Sequence, residues 1–158
     1  MHIRPARLPE DKPVILTFIE GMQRFEYAIE PDRRVDADVA EEFFADIFAR
    51  LGEKTGAAFV AEEGGEKLGW AAAYREQNDV YVRADERDFA HISELYVVEA
   101  ARGKGVGRAL IAACEEWARS LPVKVLMISV LEGNKRAATI YRKAGFATYY
   151  IGLRKYLR

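Results

Sequence analysis

Residues 102–111, RGKGVGRALI, set glycines at alternate positions among basic side chains and then run into residues with the apolar spacing of a helix. Glycine weakens any regular element, so such a cluster marks a sharp turn or a close approach of the backbone to something else. The basic side chains make that something an anion. Upstream, FAHISELYVV reads as a strand. Downstream, Val106, Leu110, Ile111, Cys114, Trp117 and Ala118 keep helical spacing until Pro122 forbids continuation. Strand, glycine turn and helix start together make an anion site, because outward N–H groups and the positive helix end both favour negative charge. A phosphate or pyrophosphate is the natural occupant.

The remaining elements follow from periodicity and punctuation. HIRPA is a short edge strand, ended by Pro5 and Pro9. Asp11 is placed to cap a helix with Pro13 in its first turn and Val14, Ile15, Phe18, Ile19 and Met22 on its apolar face. Val39, Phe43, Ile47 and Leu51 recur every four residues in a second helix. AAFVAEE and KLGWAAAY form a hairpin joined by Gly64 and Gly65. VKVLMISVL reads as a buried strand, Asn134 opens a further helix that Gly145 stops, and FATYYIGLRKYL ends the chain as one or two strands. This order implies an α/β sandwich around a mixed, largely antiparallel sheet. Without repeats or linkers, residues 1–158 read as one domain.

Two familiar phosphate loops fail on spacing. G-x-G-x-x-G would end on Arg108 or Leu110, and the P-loop pattern lacks its Ser or Thr after Gly103-Lys104. What remains is R-x-x-G-x-G, made by Arg102, Gly105 and Gly107. ELYVVEAARGKGVGRAL resembles the acetyl-CoA motif of the GNAT acyltransferase superfamily, and NKRAATIYRKAGF resembles that family's second signature. The resemblance spans about Ala57 to the C-terminus. It implies a GNAT-like sheet with helices on both faces and acetyl-CoA as cosubstrate, without a metal. Arg102, Gly103, Lys104, Gly105, Val106, Gly107 and Arg108 would then hold the pyrophosphate, mainly through backbone N–H groups.

Acyl transfer to an amine needs a neutral amine, a stabilised oxyanion and a proton for the leaving thiolate. Alternation along HISELYVV puts Ile92, Glu94, Tyr96 and Val98 on one face, so Glu94 sits in an apolar surface. Taken alone, it would be a solvent-facing strand residue or a salt-bridge partner; the resemblance makes it the general base, acting directly or through water. Tyr141 lies two helical turns after Asn134 on one face, with Ala138 between them. Alone it would be a core aromatic. The resemblance makes it the acid for the departing sulfur, with Asn134 and Ala138 beside the pantetheine arm, Asn134 also being a simple cap candidate. The N–H groups near Tyr96, Val97 and Val98 are the oxyanion donors that the family suggests.

Composition narrows the partners. A formal net charge of -1 points to neither nucleic acid nor an acidic membrane. The lone Cys114, among apolar residues, reads as core, and its solitude fits a reduced, cytoplasmic setting. No apolar run has the length of a membrane span, and the N-terminus lacks a signal-type core. His2 and His91 suggest no metal site or triad. The expected acceptor is a primary amine, small molecule or peptide, cationic before binding, drawn by acids such as Glu26, Glu30, Asp36, Asp79 and Asp85. For any single acid, pairing with Arg33, Arg34, Arg83 or Arg87 is the plainer expectation. Another acyl donor, a noncatalytic acyl-CoA sensor and a homodimer remain open alternatives.

Overall fold

The computed structural model describes residues 1–157. Strand β1 (His2–Pro5) leads into helices α1 (Lys12–Tyr27) and α2 (Val39–Glu53), followed by strands β2 (Gly56–Glu63), β3 (Glu66–Gln77) and β4 (Asp88–Val97). Helix α3 (Val106–Arg119), strand β5 (Leu126–Ile128) and helix α4 (Lys135–Lys143) complete the described elements. The sheet runs β1-β2-β3-β4-β5, antiparallel except for the parallel pair β4 and β5.

Period-two alternation divides the core into two layers. Trp70, Ala72 and Tyr74 of β3 face α1 and α2, where they meet Ile15, Phe18, Ile19, Phe44 and Ile47. Ala71 and Ala73 face α3, against Leu110, Ile111 and Cys114. Each large side chain buried this way contributes ~1.5–3 kcal/mol, which is what holds both helix layers to the sheet.

The β1–α1 connection is tied by a buried ion pair. Arg4 donates from both terminal nitrogens to the two carboxylate oxygens of Asp11, at 2.7 and 2.9 Å, and the Arg7 amide adds a bond of 2.7 Å. Asp11 does occupy the N-cap position of α1, but its carboxylate makes no capping bond because these donors have claimed it. The Arg4 guanidinium, foremost, and the Arg7 amide hold the Asp11 carboxyl down at about 2 against the opposing effect of burial.

Two strand expectations are corrected. Only Leu126–Ile128 of VKVLMISVL pairs, because β5 follows β4 no further than Ile92. FATYYIGLRKYL forms no strand over residues 146–157: the short edge of β5 offers little ladder to join, and Arg154 instead bridges Glu30 and Asp32 beyond α1. Beyond Phe146, its large apolar side chains consequently stay exposed, from Tyr150 at 64% to Leu153 at 96%. Helix α4 buries no residue completely, touching the α3 layer through Tyr141 while Ala144 and Phe146 follow it.

Candidate active site

The site begins where β4 and β5 part. Their pairing ends at Ile92 and Ile128, yet β4 continues to Val97 alone on that side. The Val98 amide donates to the Leu68 carbonyl at 3.0 Å, with Gly69 opposite Val97. Antiparallel alternation therefore turns Val97 and Leu95 outward to the gap, while Tyr96 and Val98 bond back to β3. Of the three amides marked in the sequence, Val97 is the one facing the opening.

A bulge decides which side Glu94 faces. Ala72 pairs with Glu94 and Ala73 with Ile92, leaving Ser93 without a partner in β3. The extra residue reverses the alternation, so Ile92 packs with the α3 layer whereas Glu94 and Tyr96 share the face of α1 and α2. The expectation of one face for Ile92, Glu94, Tyr96 and Val98 is thus corrected.

Glu94 and Tyr141 line one cleft of about 380 Å³, together with Gln23 and Glu26 of α1, Arg33 and Ser129. Glu94 is only 7% exposed. Burial, reinforced by the negative charge of Glu26, pushes its carboxyl up to about 8. Tyr141 is pushed up to about 12 by burial first and by Glu26 and Glu94 after it, so its phenol stays protonated at neutral pH. A carboxyl poised near working pH and a retained phenol proton are the two components that proton traffic in acyl transfer requires. Phe146 packs edge-on to Tyr141 at 6.3 Å between ring centroids.

Below the gap lies the glycine loop. Gly103 and Gly105 have φ of 82° and 86°, conformations that admit glycine but strain other residues, whereas Gly107 has none of this constraint. Among the described residues, no hydrogen bond engages the amides of Gly103, Lys104, Gly105, Val106, Gly107 or Arg108. Gly105 is the N-cap of α3, so the helix's unsatisfied donors and its positive end converge here. A pyrophosphate group such as coenzyme A carries fits this cradle of orphaned amides. Arg102 differs from its neighbours: its amide closes a turn onto Glu99 at 3.1 Å, and its Nε donates to the Val97 carbonyl at 3.0 Å.

In the second motif, Asn134 caps α4 by accepting the Ala137 amide at 3.1 Å, and Ala138 lies half-buried on the same helix. Of the acids proposed to draw an acceptor, only Glu26 reaches the cleft, paired with Arg33 at 2.8 Å. Glu30, Asp36 and Asp85 pair elsewhere, with Arg154, Arg34 and both Lys124 and Arg83. Arg87 bonds the carbonyls of Val80 and Val82 rather than an acid. Sequence reading passed over Gln23, although a polar residue within the stripe Ile19, Met22, Gln23, Glu26 was a usable signal. Cys114 is fully buried, which pushes its thiol up to about 12, as a core residue. Among the described residues no cluster of His, Cys, Asp or Glu can hold a metal ion, and no helix is long and apolar enough to cross a membrane.

Comparison with known proteins identifies the family and the fold. The sequence profile of the acetyltransferase (GNAT) family matches residues 19–146. The uncharacterized N-acetyltransferase YhfO of Bacillus subtilis is 26% identical over 146 residues, covering 92% of this chain and 89% of the relative. Among solved structures, the F44R mutant of the BH1408 protein from Bacillus halodurans superposes with a TM-score of 0.84 at 21% identity over all of both chains. An aminoglycoside 6'-N-acetyltransferase from Acinetobacter haemolyticus gives 0.73 at 18% identity, again over both whole chains. At these identities, the two structures establish likeness of fold.

Proposed function

Because this chain belongs to the GNAT acetyltransferase family and is an acyltransferase, we propose that it moves an acetyl group from acetyl-CoA to a primary amine by direct transfer in a ternary complex. The observation that carries this reading is the shared cleft: Glu94 and Tyr141 line one opening, at the place where β4 leaves β5. The free amides of residues 103–108 support a pyrophosphate anchor there. When bound, acetyl-CoA supplies an activated thioester carbonyl.

The chain's own residues provide the rest. Amines of the lysine type have a pKa of about 10.4, so a proton must leave before attack. Glu94 takes that proton on its carboxylate, directly or through one water, and its raised pKa makes it a far better base than an ordinary Glu. The outward N–H groups of Leu95 and Val97 are the donors available to a developing oxyanion. Tyr141 Oη keeps its proton until it is given to the leaving sulfur. Glu26, at the cleft wall, favours a cationic amine over an anionic one. Val97, Gly103 to Arg108, Asn134 and Ala138 would flank the cofactor, with Asn134 free to offer its side-chain N–H₂ because its oxygen caps α4.

The test mixes acetyl-CoA with polyamines, aminoglycosides, amino-acid amides and lysine peptides and follows free thiol together with acetylated product. Amine-dependent thiol release, equal in amount to product, is the expected result. Tight coenzyme A binding without such release would instead make the protein a sensor.

A further inference from the structure

Arg102 stands first in the loop yet turns its side chain to other work. Besides the bond from Nε to the Val97 carbonyl, its guanidinium carbon lies 5.0 Å from the Phe25 ring centroid and 5.8 Å from that of Tyr96. The flat cation thus joins the last turn of α1 to the end of β4. A second contact secures the same pair of elements. Tyr96 is pressed so closely on α1 that a Cβ at Gly21 would fall 2.3 Å from its hydroxyl oxygen, and Phe18 packs the ring at 5.9 Å. Met22, Gln23 and Glu26, the cleft-lining residues of α1, occupy the stretch fixed by these two contacts.

From this geometry we propose that Arg102 is a positioning residue: it clamps the acceptor-lining turns of α1 to the strand that carries Glu94, rather than serving as a side-chain ligand of the cofactor's phosphates. The catalytic consequence rests on the acyl-transfer reading. Misplacing an acceptor wall by about 1 Å costs up to roughly 10²-fold in rate, so a clamp on α1 acts on turnover of the amine. The guanidinium suits the task because it stacks on rings and presents a directed Nε–H, while a lysine ammonium keeps the charge but has neither plane nor fork.

That difference separates a clamp from a phosphate ligand. Arg102→Lys and Arg102→Gln should bind coenzyme A, measured by calorimetry, within about threefold of the parent, whereas both should lose about tenfold or more in kcat/KM for the amine. Phe25→Leu, which removes the stack from the helix side, should change the amine parameters in the same direction. Hydrogen exchange provides a readout free of turnover: in Arg102→Lys the amides of residues 22–27 should exchange faster, and those of 110–118 should not. Loss of more than about tenfold in coenzyme A affinity in Arg102→Gln, restored by Lys, would overturn the proposal in favour of a phosphate contact. Unchanged exchange in α1 would overturn it too. If the parent acetylates no amine, the acyl-transfer reading falls, while the exchange and coenzyme A measurements still decide the clamp.

Discussion

The two edges of β4 are built for opposite purposes. Toward β3 it is paired from Asp88 with Gln77 to Val97 with Gly69, interrupted at Ser93 by the bulge, and that seam lies over a continuous apolar core. Toward β5 it is paired only from Ala90 to Ile92, and beyond that point stand outward amides and a buried carboxyl. The closed seam satisfies backbone groups with each other; the open seam leaves them for a ligand. A buried, unpaired carboxyl on the closed side would be a defect, whereas on the open side its raised pKa is the useful property. Stability and chemistry are therefore divided between the two edges of one strand.

Changes on the closed side of the molecule should act on stability. The largest expected effect is that of Asp11→Asn, which removes the buried charge that faces both terminal nitrogens of Arg4 and leaves the guanidinium only its Nε bond to Glu62 at 3.0 Å among carboxylates. It should cost about 3 kcal/mol or more in a denaturant titration at neutral pH, with cofactor affinity of the folded protein unchanged. Because the folded pKa of Asp11 lies below its ordinary value, this stabilisation is present above about pH 4 and is lost as pH falls toward about 2, so the variant and the parent should converge in acid. A loss of activity greater than the loss of fold would break the division between the seams.

On the open side, Tyr141→Phe should lower kcat by about 10²-fold and change acetyl-CoA affinity little, because the hydroxyl matters only as the thiolate leaves. Equal turnover would return Tyr141 to a packing role beside Phe146. Gly107→Val sharpens the loop argument better than a change at Gly105, whose φ of 86° would strain any side chain even without a ligand. A Cβ at Gly107 would meet Val97 Cγ2 at 3.8 Å, ordinary contact, so the fold should tolerate it while coenzyme A affinity falls about tenfold by calorimetry. The smallest effect belongs to Arg154→Ala: its pairs with Glu30 and Asp32 are exposed and should leave the unfolding midpoint nearly unchanged, and a clear shift would show that the C-terminal segment supports the cleft.

Much of this arrangement is legible in the residues. The apolar stripes of α1, α2 and α3 pack as their spacing implies, because a helix face is written in local sequence. The loop is legible for a similar reason, since only glycine accepts the backbone at residues 103 and 105. The bulge at Ser93 is not, because no local pattern says that β3 will skip a partner, and with it went the true face of Glu94. Nor does β propensity at 123–131 or 146–157 reveal whether a sheet edge is available. The Arg4–Asp11 pair was hidden likewise: Asp11 looks like a cap until its distant partner is in place. Glu94, Tyr141 and the loop were recognised as motifs, but their convergence with Glu26 and Gln23 depends on how α1 crosses the sheet.

The most direct measurement of the central claim is the pH profile of kcat/KM for an accepted amine, compared between the parent and Glu94→Gln. With its folded pKa near 8, Glu94 is mostly protonated at neutral pH and becomes a competent base as pH rises. The parent rate should therefore climb through a step near pH 8. In Glu94→Gln that step should vanish, the rate should fall at neutral pH, and the remaining activity should rise only at higher pH, where the amine deprotonates unaided. Profiles of the same height and shape in the two proteins would contradict the claim that the open seam of β4 carries the base.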